Sequence, residues 1–138
     1  MKNTIVILSL LAAFLLTDTR AYSKTPTPKE ATLIVYRKGC LYGALAKYKV
    51  IVDHKKLAQL KNNKIREFVI APGDHRISPK QSNRAIKFNA ESGQTYVVAY
   101  KTRIGIFGAR PRLKVMTVEQ AEKSSKFFRD HKGQDMSM

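Results

Sequence analysis

Between residues 48 and 77 the chain reads YKVIVDHKKLAQLKNNKIREFVIAPGDHRI, short apolar runs cut at close intervals by Asp53-His54-Lys55, Asn62-Asn63 and Pro72-Gly73. Each cut is turn chemistry with a mechanism. Asn accepts left-handed backbone at little cost, proline presets φ at the first corner of a type II turn, and glycine supplies the positive φ of the second. His54 stands where a tight hairpin prefers glycine, and His is among the residues that tolerate positive φ. Apolar runs this short, separated by turns this tight, predict a meander of antiparallel strands, with hairpin turns at residues 53–56 and at Asn62-Asn63.

The same grammar runs through the rest of the chain. Residues 31–37 (ATLIVYR) are β-branched and aromatic and predict a first strand. Residues 38–47 hold Gly39 and Gly43 and read as a loop or bulged connection. Strands are then predicted over 48–54, 57–60, 64–71, 74–79, 84–89, 94–103 and 110–117, with residues 104–109 (IGIFGA) as a glycine-flexed loop. Thr117 and Gln120 form a capping box, and Val118, Ala121 and Phe128 recur at helical spacing. That predicts one short amphipathic helix running to about residue 131. No internal segment is long enough for a crossover helix, so the fold class is all-β: a small antiparallel β-sandwich of seven to eight strands with a short C-terminal helix.

The ends read differently. Lys2 precedes an uncharged run, IVILSLLAAFLL, followed by Thr19-Arg20-Ala21 with small residues at −3 and −1. Residues 1–21 are expected to be a secretory signal peptide, since the run is far shorter than the ~20 residues a bilayer span needs. Residues 22–30, with Pro26 and Pro28, read as an extended linker, 31–131 as the domain, and 132–138 as a flexible tail. Cys40 is the single cysteine and follows Lys38-Gly39, which is no lipid-attachment pattern. The predicted localisation is exported: periplasmic, envelope-associated or secreted.

Three stretches carry a family resemblance: Val52-Asp53 before a tight turn, Pro72-Gly73-Asp74-His75, and Gly93-Gln94-Thr95-Tyr96. With them, residues 31–117 resemble a bacterial envelope domain family of unknown function, of lipoprotein type, and are more loosely similar to PEGA-type modules. The resemblance implies a small secreted or membrane-attached β-sandwich with no known activity. The chain departs from it at His54, where the family favours glycine, and in lacking a lipobox.

Charge is the compositional outlier. Twenty-six Lys and Arg stand against ten Asp and Glu, a net charge of +16. Removing residues 1–21 takes away Lys2, Arg20 and Asp18, so the exported chain keeps +15. An excess of this size speaks to anionic partners and not to fold. Export makes nucleic acid an unexpected partner in spite of the charge.

The last predicted hairpin concentrates that excess. With 104–109 as its loop, Arg103 faces Arg110 and Lys101 faces Arg112, with Lys114 further along the same face. Like charges directly opposite one another destabilise a sheet, so the ladder makes most sense if an anion neutralises it. A solvated face with side chains splayed into water is the plainer alternative. Ile106 and Phe107 are expected to stand exposed at the loop and to touch a lipid interface or a partner groove. Tyr96 and Tyr100 fall on the opposite face, toward the core. A second basic group, Lys47, Lys49, Lys55, Lys56, Lys61, Lys64 and Arg66, rims the first hairpins, where lysine also blocks edge-to-edge pairing.

Reactive constellations are sparse. Asp53-His54 and Asp74-His75 would make a metal site only if their turns met in space, and consecutive strand residues point to opposite faces. Only three His exist, and the carboxylates are spread evenly along the chain. The expectation is a non-enzymatic domain with no metal or cofactor. It would contact an anionic envelope component: a lipid head group, lipopolysaccharide, acidic glycan or acidic protein, with peripheral membrane contact. The alternative is a structural or assembly module that docks on another envelope protein through an edge strand or the helix face around Val118 and Phe128.

Overall fold

A computed structural model of the chain describes residues 30–80 and 84–133. The expected signal peptide, nearly all of the linker and nearly all of the tail lie outside the described residues. Eight strands and two short helices follow in order: β1 (Ala31–Arg37), β2 (Tyr48–Val52), β3 (Lys55–Leu60), β4 (Lys64–Ile70), β5 (Gly73–Ser78), β6 (Ile86–Ala90), β7 (Thr95–Gly105), β8 (Gly108–Met116), α1 (Val118–Ser124) and α2 (Lys126–His131).

The strands form two four-stranded sheets, β4-β1-β7-β8 and β3-β2-β5-β6. Their facing surfaces enclose Leu33, Val35, Tyr48, Val50, Leu60, Ile77, Val98 and Tyr100, all buried. This is the expected β-sandwich, with one layer more. The outer face of the first sheet carries Tyr36, Ile65, Val97 and Ala99, which α1 and α2 cover with Ala121 and Phe128. Phe128 is fully buried, its ring 5.0 Å from that of Tyr36. Truncating such a side chain to alanine costs about 3–5 kcal/mol. The helix face around Val118 and Phe128, expected to be open to a partner, is therefore consumed inside the protein.

Several local expectations change in the same way. Among the described residues only β2–β3, β5–β6 and β7–β8 are true hairpins. Asn62-Asn63 joins β3 to β4, which belong to different sheets, so it is a corner between layers and not a hairpin turn. β1 lies between β4 and β7 and pairs with β7 in parallel, Thr32 opposite Thr95 through Tyr36 opposite Ala99. Turn chemistry specifies only the geometry of neighbours in sequence, and these two strands are not neighbours. The predicted single helix breaks at Ser125, whose extended backbone (φ −144, ψ 106) ends α1 while its hydroxyl accepts the Phe128 N–H to start α2. The β2–β3 turn is tighter than expected: Asp53 and His54 both take positive φ, 48 and 67, and β3 begins at Lys55. Two left-handed corners match the right-handed twist of the strands they join.

Candidate functional site

β7 and β8 outrun the sheet that holds them. The β1–β7 ladder ends at Tyr36 opposite Ala99, whereas β7 and β8 stay paired to Gly105 opposite Gly108. Residues 101–105 and their partners thus project as a two-stranded arm, whose end lies roughly 20 Å beyond the last parallel pair. The turn is Ile106-Phe107 alone, so Ile104 and Ala109, expected in the loop, form the last strand pair but one. Gly108 takes the positive φ (108) that the turn requires. The two corners are thereby free to carry a β-branched and an aromatic side chain. Ile106 is 97% and Phe107 87% exposed. The Arg110 guanidinium lies 6.0 Å from the Phe107 ring centre.

The register places Lys101 opposite Arg112, Arg103 opposite Arg110, and Lys114 opposite Ala99. All five cations therefore share the arm's outer face, as the period of two requires, and all five are exposed. The ion pairs His75–Asp53, Arg129–Asp130 and Lys132–Glu122 all lie away from the arm. Pro111 sits on edge strand β8, where a missing N–H is tolerated. Opposite the arm's root, across the open side of the sandwich between β6 and β8, stands Arg84. With Ile86, Arg103, Ile104, Arg110 and Arg112 it lines a groove of about 490 Å³. Sequence spacing held no sign of Arg84, because β6 and β8 belong to different sheets.

The loop between β1 and β2 completes this end. Gly43 has φ 79, and a Cβ there would come within 3.0 Å of the Ala109 Cβ and 3.5 Å of Thr102, so only glycine lets the loop lie on the arm's inner face. Arg37 fastens it. This arginine is fully buried, donates from Nη2 to Gly43 O at 2.7 Å and from Nη1 to Ala46 O, and stacks its guanidinium 4.1 Å from the Tyr48 ring centre. Tyr48 Oη in turn donates to Thr102 Oγ1 at 3.2 Å. No carboxylate among the described residues pairs with Arg37, and its Nε has no partner there. Its place was legible in the alternation Ala31, Leu33, Val35, Arg37, which puts it on the core face. Held this way, the loop presents Leu41 (99% exposed), Tyr42 and Leu45 (97%) beside the arm. The sequence carries a sign of this surface, since Leu41-Tyr42 stands between two glycines as Ile106-Phe107 does.

Five carboxylates lie at the far end of the sandwich, beside the exposed Lys55 and Lys56 that open β3. Glu30 precedes β1, Asp53 and Asp74 lie at the β2–β3 turn and the start of β5, Glu91 follows β6, and Glu119 opens α1. Here the two Asp-His motifs do meet, but crosswise. Asp53 Oδ2 lies 2.6 Å from His75 Nδ1, its Oδ1 accepts the Arg76 N–H at 2.8 Å, and His75 Nε2 lies 2.6 Å from Ala71 O. Burial alone would push the His75 imidazolium toward deprotonation. The Ala71 carbonyl, the Asp53 hydrogen bond and the charges of Asp53 and Asp74 outweigh it, so the His75 pKa is raised. Burial likewise works against the Asp53 carboxylate, but His75, the Arg76 N–H and His54 hold its pKa below the usual value. The pair locks the two turns together. Among the described residues no group of three or more His, Cys, Asp or Glu is placed to hold a metal.

The core tyrosines behave as their parity predicts. Tyr100 is buried, donates to Lys49 O at 3.2 Å, and has its phenol pKa pushed well up by burial. Tyr96 is half-buried, and its Oη accepts the Glu91 N–H.

No protein-family model and no curated protein matches the chain. It is similar to a solved structure, the N-terminal domain of AlgF from P. aeruginosa, at 18% identity and a TM-score of 0.44, over 64% of this chain and 96% of that one. A likeness of that size says nothing of ligand or activity.

Proposed function

We propose that this is an exported, non-enzymatic binding domain of the bacterial cell envelope, and that its β7–β8 arm holds an anionic envelope component. The observation that carries the reading is the arm's charge. Lys101, Arg103, Arg110 and Arg112 stand in two like-charged cross-strand pairs on a strand pair that leaves the sheet. Lys114 follows on the same face, and Arg84 faces the arm's root across the groove. Guanidinium groups grip phosphate or carboxylate with two parallel hydrogen bonds, and lysine adds a point charge. A bound anion relieves the repulsion that the free arm carries, so binding and arm stability favour each other.

The arm offers donors that hold and orient anions, and the two Asp-His motifs act on each other as a turn lock. Both facts favour binding over catalysis. The test is the double substitution Arg103→Glu with Arg112→Glu, measured as the salt concentration that elutes the protein from immobilised heparin. Wild type should be retained and released by salt, and the variant should elute much earlier. Equal elution of the two would remove the arm from any role in anion binding.

A further inference from the structure

The cationic end is also the apolar end. Leu41 and Leu45 on the β1–β2 loop and Ile106 and Phe107 at the arm's tip are almost fully exposed, each 87% or more. Both loops leave the sandwich at the same end, because Gly43 lies against Thr102 and Ala109 of the arm. These side chains do not line a groove. The groove at the arm's root is lined by other residues, Arg84, Ile86, Arg103, Ile104 and Arg110 among them, so the four side chains stand outside it. Exposed cations flank them on both elements: Lys38 and Lys47 bracket the loop, and Arg103 and Arg110 bracket the tip. Arg37 ties the loop to the arm through Gly43 O, Ala46 O and Thr102 Oγ1, so the two projections move as one body.

From this we infer that the protein docks end-on on an anionic lipid bilayer, with Leu41, Leu45, Ile106 and Phe107 entering the interface and the flanking Lys and Arg meeting head-group phosphates. The inference rests on the anion-binding reading above and adds the partner and the orientation. A charged lipid plane matches each feature. It attracts the cationic end and offers an apolar layer at the depth that interfacial side chains reach. Neither signal suffices alone. Burying one large apolar side chain strengthens partitioning about 10- to 100-fold, and each cation near the surface adds roughly five-fold.

The chain contains no tryptophan, so Phe107→Trp supplies a single reporter at the tip, and Val69→Trp, exposed on β4, supplies a control away from it. Purified protein is titrated with vesicles of phosphatidylcholine alone and with vesicles that also contain phosphatidylglycerol. Phosphatidylglycerol vesicles should shift the emission of the Phe107→Trp protein to the blue and expose it to bilayer-embedded quenchers, and should leave the Val69→Trp protein unchanged. Phosphatidylcholine vesicles should bind far more weakly. A four-fold variant, Leu41→Ser, Leu45→Ser, Ile106→Ser and Phe107→Ser, alters only exposed positions. It should keep its retention on heparin while losing about 100-fold or more in vesicle affinity. Two results overturn the inference and leave the proposed function standing: vesicle binding by the four-fold variant within about three-fold of wild type, or vesicle-bound Phe107→Trp protein whose emission does not shift. Wild type that binds heparin but no vesicle does the same. Wild type that binds neither overturns both.

Discussion

Arg103→Glu is expected to make the protein more stable while making it a poorer anion binder. Arg103 lies directly opposite Arg110 and diagonally from Arg112, on an exposed face. A directly opposed like-charge pair costs, and an opposite-charge pair contributes, roughly 0.2–1 kcal/mol, so reversing one partner gains on both counts. Exposure keeps the gain toward the lower end, about 0.5–1 kcal/mol. For a domain of this size that is a rise in melting temperature of roughly 2–6 °C. Arg103→Gln, which only removes the repulsion, should give about half of it. The gain is electrostatic, so it must shrink as the screening length falls from about 10 Å at 0.1 M salt to about 3 Å at 1 M. Thermal unfolding of the three proteins at both salt concentrations measures this, and heparin elution measures the loss of binding in parallel. If Arg103→Glu melts below wild type at low salt, or if its advantage does not depend on salt, the arm's cations are not in mutual conflict. The argument that an anion relieves them then fails.

Two further outcomes follow from groups outside the arm. Arg37→Ala should lose about 3–5 kcal/mol, through a large cavity and two unmet carbonyls, whereas Arg37→Met keeps the volume, removes an unpaired buried charge and should lose no more than about 1.5 kcal/mol. Urea unfolding reads the first difference, and chymotrypsin cleavage near Tyr42 in Arg37→Ala reads the release of the loop. The Asp53–His75 lock predicts a pH window. Asp53 has a lowered pKa, so its contribution is complete above 3.8 and is lost as pH falls through the folded value. His75 has a raised pKa, so its contribution is complete below 6.5 and is lost as pH rises through the folded value. The melting-temperature difference between wild type and Asp53→Asn should therefore peak between about pH 4 and 6.5 and fall away on both sides. A difference still growing above about pH 8 would contradict the pairing.

Sequence alone determined what is local in this protein. Alternating apolar residues and turn-forming Asn, His, Pro and Gly specify strands and where they stop, because side-chain period and backbone φ are properties of a few adjacent residues. That was enough to place eight strands, to set Arg103 against Arg110 across a symmetric loop, and to leave Ile106 and Phe107 exposed. Tertiary structure decided which strands share a sheet. Asn62-Asn63 became a corner between layers, β1 paired in parallel with a strand far along the chain, and Phe128 was drawn into the core by the bare outer face of the first sheet. The same decision built the candidate site. Arg84 meets the arm only because β6 and β8 close one side of the sandwich, and the β1–β2 loop stands beside the arm only because Gly43 lets one rest on the other. Contacts between distant segments depend on which apolar surfaces find each other in three dimensions, and no local pattern of residues encodes that.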